Sequence, residues 1–341
     1  MSDSISTLSP SSAMGRLGIM HLKRYWEKGQ LRKTGKLAHD ALFQEWNSDN
    51  ALLAALGLGL EQTIIQVYNA PGDFAAFEDW VEATIKDGYD QEKVNSFNEF
   101  IVSQSITADK NNIESVLSES DLAFWNSNGY IIIRDAVPKE DCEASVQLIC
   151  DFLEINKDDA STWYQSHPGR QGIMVQFFQH SLLEKNRQSS IIRKVYEQLW
   201  GRKDIWVNTD RVGFNPPETD FWKFPGPRMH WDVSLQLPIP FGLQGILYLA
   251  DTAANQGAFT LVPGFHNQVE SWLHSLPPGA DPRRENIDEL GPVPIAANAG
   301  DFIIWHHALP HGSSPNTSTI PRYVQYINYA PLDMEVRENW I

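Results

Sequence analysis

Apolar residues recur at helical spacing through the first hundred or so residues of the chain and at strand spacing through its last part. ALLAALGLGLEQTIIQVYN (51–69) reads as one helix. DFAAFEDWVEATI (73–85) places Phe74, Phe77, Trp80, Val81 and Ile85 along one face, with Asp73 as the expected N-cap. A further helix is expected around 91–104, carrying Val94, Phe97 and Ile101. The Ser-rich residues 1–15 are expected to be disordered. The polar stretch TADKNNIESVLSES ends the helical region, so the domain boundaries are set at 16–115 for a helical extension and 116–341 for a strand-rich domain.

From residue 119 the pattern changes. A short helix (SDLAFWNSNG) leads into a strand (YIIIRDAV), then a helix over 138–154 with Pro138 in its first turn, then a second helix ending near Gly201. After it come short strand-like segments separated by turns: IWVNTDRVGF, HWDVSLQLPI, LQGILYLADT, GAFTLVPG, GDFIIWHHAL and RYVQYINYA. Many short strands following packing helices predict an α+β chain with a double-sheet β core of the jelly-roll or cupin kind, the double-stranded β-helix.

Composition narrows the partners. With 27 basic and 43 acidic residues the net charge is -16, which argues against a nucleic-acid or anionic-membrane surface. Cys142 and Cys150 share a predicted helix with Val146, Ile149 and Leu153, so both read as buried apolar residues in a reducing, cytoplasmic setting. MSDSISTLSPSSAMGRLG lacks an apolar signal core and no apolar run is long enough to span a bilayer, so a soluble, unprocessed protein is expected, acting on a small molecule; its oligomeric state stays open.

HWD (230–232) carries the candidate chemistry. A His-x-acid triplet is expected by chance in a chain with 10 His and 43 acidic residues. On a strand, however, side chains two apart point the same way, so His230 and Asp232 can chelate one ion while Trp231 faces away. WHHALPHGSSPN offers His306, His307 and His311 as a third ligand. Two His and one carboxylate form the facial set of non-haem Fe(II) oxygenases, which leaves positions open for a cosubstrate and O₂. A dicarboxylate cosubstrate then needs a cation, and Arg322 on the last strands, with its planar fork, suits a carboxylate.

LAFWNSNGYIIIRDAVPKEDC, HWD, LYLADT, QGAFTLVPGFH and GDFIIWHHALPHGSSPN followed by PRYVQYINY together resemble the phytanoyl-CoA dioxygenase-like (PhyH) family of Fe(II)/2-oxoglutarate-dependent oxygenases, over residues 120–331. The resemblance implies His230, Asp232 and His311 as iron ligands, the last because a Gly-Ser follows it and an Arg comes eleven residues later. It further implies Arg322 and Ser313 as holders of 2-oxoglutarate and Tyr248 as an aromatic wall of that pocket. VPGFH departs from the family's usual Pro-Gly-Ser-His. With Asp232 present the iron has no vacancy for halide, so hydroxylation or oxidative dealkylation of a small polar metabolite or secondary-metabolite intermediate is expected. Arg228, two residues before His230, is a candidate contact for an anionic substrate. A non-catalytic binding protein on the same fold would be expected to have lost one of these groups. A cupin-type lyase has no need of Arg322 and Ser313, and an acyl-CoA hydroxylase would want a basic cluster that the chain does not show.

Overall fold

Gly57 breaks the first predicted helix. Its φ of 66° is left-handed, a conformation open to glycine at little cost, and it caps Trp46–Leu56 so that the chain restarts as Leu60–Asn69, bent by 99°. Apolar periodicity runs through both halves because both bury residues; the break itself carries little signal beyond the Gly-Leu-Gly. The computed structural model describes residues 8–37, 44–70, 72–85, 90–103, 108–337 and 341. They fall into two compact units: Met1–Asn111 with Arg202–Thr209 and Ala330–Glu338, and Asn112–Gly201 with Asp210–Tyr329 and Asn339–Ile341.

The first unit is mainly helical. Helices Leu22–Lys33, Phe74–Thr84 and Gln91–Ser103 join the bent pair around a core that includes Leu52, Leu56, Phe77, Val81, Val94 and Phe97. Asp73 caps as expected, accepting from the Ala76 N–H at 3.1 Å. The unit also draws in 202–209 and 330–338, which the sequence had placed with the strand-rich part. Residues 1–7 of the expected disordered segment lie outside the described residues. Residues 8–15 are tied down: the Ser9 N–H and hydroxyl both donate to Glu27 (2.6 and 2.7 Å), and the Ser11 hydroxyl pairs with His21 Nδ1 at 2.9 Å. Serines that read as disorder in composition act here as partners for the half-buried Glu27 carboxylate and the buried His21 ring. Among the described residues no single helix is long and apolar enough to cross a membrane.

The second unit is a β sandwich with flanking helices. Strands β1 (Tyr130–Ile133), β9 (Phe302–His306), β6 (Leu243–Tyr248), β11 (Arg322–Tyr326), β5 (Val212–Asn215), β3 (Met174–Val175) and β2 (Arg170–Gln171) form one sheet in that order. A smaller sheet runs β10 (His311–Ser313), β7 (Phe259–Leu261), β8 (Val293–Pro294). Two further short strands, β4 (Ile205–Val207) and β12 (Tyr329–Pro331), pair with each other, and apart from Tyr329 their residues belong to the first unit. Neighbouring strands whose register is resolved run antiparallel in both larger sheets. The core between the sheets takes Ile246, Tyr248, Ile303 and Trp305 from the seven-stranded one and Phe259 and Leu261 from the three-stranded one. This is the double-stranded β-helix architecture expected from the strand pattern. Pro138 occupies the N-cap of helix Lys139–Leu153, one position before its first turn, and Cys142 and Cys150 on that helix are buried and unpaired.

HWDVSLQLPI, read as a strand, is not one. Only His230 pairs, in an isolated bridge to His311. Pro238 and Pro240 cannot donate to a ladder, and Trp231 and Leu235 are buried without one: Trp231 packs in the core with its indole N–H on the Ala308 carbonyl at 2.9 Å.

Candidate active site

The three-stranded sheet and its bridge build the site. His311 opens β10 opposite Leu261, and its main chain exchanges two hydrogen bonds with His230, at 2.8 and 2.9 Å. The approach is tight at Gly312, where an added Cβ would lie 2.6 Å from the Arg228 carbonyl oxygen. Glycine there is what lets the 228–230 segment close onto the strand. The ring centroids of His230 and His311 are 4.8 Å apart.

Each imidazole is oriented from behind. His230 Nδ1 lies 2.7 Å from the Arg228 carbonyl and His311 Nδ1 lies 3.1 Å from the Leu309 carbonyl. A carbonyl only accepts, so each Nδ1 carries a proton and each Nε2 is the nitrogen left to face an ion, the arrangement that metal-ligating histidines adopt. Both Nε2 atoms converge on Asp232, at 3.3 Å from Oδ1 for His230 and 3.3 Å from Oδ2 for His311. Donor atoms about 2.1 Å from a shared ion and at right angles lie about 3 Å apart, so three such atoms within 4.8 Å of one another fit one ion. Burial opposes ionisation of Asp232, yet the hydrogen bonds and attraction of the two imidazoles outweigh it and hold the carboxyl well below the ordinary carboxylate range. Burial likewise pulls the His230 pKa down, and Asp232 more than offsets it.

Arg322, on β11, is fully buried. Its Nη1 donates to the Ser313 hydroxyl at 3.1 Å, while Nε and Nη2 have no partner among the described residues. A buried guanidinium without a counter-charge is unfavourable, and a carboxylate is the group that would satisfy both free nitrogens. Ser313 lines a cavity shared with His230, Asp232 and His311, and Arg322 stands behind it.

Two expected contacts are placed differently. Tyr248 is buried in the core and does not line the cavity; its hydroxyl donates to the Ile295 carbonyl and accepts from the Phe259 N–H, both at 2.8 Å. Burial pushes its phenol up to about 12, opposed by the charge of Arg322. The Arg228 side chain is exposed and is not part of the cavity wall; the residue reaches the site only through its carbonyl. The arginine on the wall is Arg211, beside Asp210 and Asn328. Gln244 and Trp305 also line it, and both went unread in the sequence. Their signal was a polar or amphipathic residue on the inward face of an apolar strand, Gln244 being in phase with Ile246 and Tyr248. His306 and His307 stay outside the metal group: His307 Nε2 contacts the Pro240 carbonyl, and the Ala308 N–H donates to His306 Nδ1 at 3.0 Å.

A β sandwich holding two imidazoles and one carboxylate in front of a buried arginine defines the class of mononuclear non-haem iron oxygenases. The family model described as Phytanoyl-CoA dioxygenase (PhyH) matches residues 125–324, and the chain belongs to that family. By that membership it is a 2-oxoglutarate-dependent dioxygenase. A Dictyostelium discoideum protein named "Putative phytanoyl-CoA dioxygenase" is 25% identical over 259 residues, 61% of this chain and 74% of the relative. Among solved structures, the epimerase SnoN in complex with Fe3+, alpha ketoglutarate and nogalamycin RO is 17% identical over 62% of this chain and 83% of its own, with a TM-score of 0.46. EctD from S. alaskensis with 2-oxoglutarate and 5-hydroxyectoine is 15% identical over 68% and 85%, with a TM-score of 0.47.

Proposed function

We propose that the chain oxidises a small polar metabolite or secondary-metabolite intermediate, by hydroxylation or oxidative dealkylation, with His230, Asp232 and His311 holding Fe(II) and Arg322 with Ser313 holding 2-oxoglutarate. The observation that carries the reading is Arg322: a fully buried guanidinium with two unpartnered nitrogens next to a three-donor group. When bound, Fe(II) and 2-oxoglutarate supply the oxidising chemistry with O₂, which no side chain can provide. The chain's own residues orient and exclude. The Arg228 and Leu309 carbonyls fix the two imidazoles, Ser313 steadies the guanidinium, and Phe259 and Trp305 dry the wall beside His311. Asp232 fills the position that a halide would need, which favours oxygen transfer over halogenation.

The rest of the wall supports a polar substrate. Asp210, Arg211 and Asn328 give the cavity both signs of charge and an amide. Burial raises the Asp210 pKa against the opposing charge of Arg211, so the carboxylate would gain from a donor on the substrate. The substrate contact expected of Arg228 passes to this group.

The test is substrate-stimulated succinate formation under Fe(II) and 2-oxoglutarate, across amino acids, phosphonates, secondary metabolites and acyl-CoAs. Stimulation by small polar compounds is expected. In His311→Ala turnover should vanish, while His306→Ala and His307→Ala retain part of it. Stimulation by long acyl-CoA thioesters alone would overturn the substrate class; an active His311→Ala would overturn the ligand set.

A further inference from the structure

We infer that Gln244 is a positioning residue that fixes the Asp232 carboxylate as a one-oxygen metal ligand. The inference rests on the metal assignment above. Asp232 lies in a bend outside any strand and its side chain is half-exposed, so the main chain does little to choose its rotamer. Three side chains hold it: His230, His311 and Gln244, whose Nε2 donates to Oδ2 at 2.8 Å. The first two contacts are made by the same Nε2 atoms that a metal ion would claim. Once those nitrogens give up their protons and turn to an ion, Gln244 is the carboxylate's remaining side-chain partner among the described residues. Its grip on Oδ2 leaves Oδ1 the less encumbered oxygen, which favours ligation through one oxygen and keeps a further coordination position open.

The amide itself shows which contact set its orientation. Gln244 sits on β6 opposite Trp305 of β9, on the face that packs into the core, and both residues line the cavity. Among the described residues its Oε1 is buried without a partner, as is the Trp305 indole nitrogen. A glutamine retained only for packing would be expected to satisfy its acceptor or be replaced by an apolar residue. Gln244 leaves the acceptor bare and spends its donor on the ligand carboxylate.

The experiment measures Fe(II) affinity of the full chain by anaerobic competition with a chelator, together with the thermal midpoint of the metal-free protein. Gln244→Met keeps the length and removes the donor; Gln244→Leu is a second apolar replacement. Outer hydrogen-bond partners of metal ligands typically contribute 10- to 100-fold in metal affinity, so both variants should bind Fe(II) about that much more weakly while the metal-free midpoint holds. Affinity within about twofold of the wild type in either folded variant overturns the inference. So does a collapse of the metal-free fold in both, which would assign Gln244 to the core. If the wild type and His311→Ala bind Fe(II) equally poorly, the metal assignment itself fails and the inference falls with it.

Discussion

Replacing Arg322 with Met separates ligand recognition from fold stability. The guanidinium is fully buried, donates to the Ser313 hydroxyl at 3.1 Å and has no partner for Nε and Nη2 among the described residues. Its removal therefore relieves a buried, incompletely paired charge at the loss of one hydrogen bond, and apolar replacements of buried charges are commonly neutral or stabilising. The thermal midpoint of the ligand-free variant should hold or rise. With 2-oxoglutarate the balance reverses, because the cosubstrate's carboxylate would enter a buried site with no counter-charge. Breaking one half of a buried pair costs about 3–5 kcal/mol, and at about 1.4 kcal/mol per decade that weakens 2-oxoglutarate binding by about two to three and a half orders of magnitude. Anaerobic titration calorimetry with 2-oxoglutarate on the Fe(II)-loaded protein measures this directly, with Fe(II) affinity as the control. A change below about threefold in Kd would remove Arg322 from the cosubstrate site. Equal loss of Fe(II) binding would show that the arginine supports the metal group instead.

Gly312→Ala puts a Cβ 2.6 Å from the carbonyl that orients His230; such overpacking costs about 1–3 kcal/mol, so both the thermal midpoint and Fe(II) affinity should fall, and unchanged Fe(II) affinity would show that the close approach does not set the ligand geometry. Burial lowers the His307 pKa to about 4, below the unfolded value near 6.5. The unfolded state then binds the extra proton between those values, so His307 favours the folded state above pH 6.5 and that contribution is lost as pH falls toward 4. His307→Gln, whose amide can still donate to the Pro240 carbonyl, should show a shallower fall in thermal midpoint over that window; parallel curves for the two proteins would refute the assignment.

What the sequence by itself determined is local in kind. Helix periodicity and the Asp73 cap depend on residues within a turn or two, and the strand alternation that announced two packed sheets depends on period two. The candidate ligands His230 and Asp232 are two residues apart, and His311 and Arg322 could be paired with them through family spacing. The tertiary structure decided what depends on register and closure. HWDVSLQLPI alternates like a strand, yet its prolines and buried Trp231 leave only the His230 bridge. Arg228 is exposed and off the cavity wall although it is two residues from His230. The Tyr248 hydroxyl is taken up by the Ile295 carbonyl and the Phe259 N–H, a pairing that only the packed sheets set. Gln244 reaches Asp232 across twelve residues because β6 lies beside β9 in one register; a shift by one residue would turn its amide to the opposite face of the sheet. Spacing along the chain names the groups that can bind a metal, and only the closed sheets decide which neighbours orient them.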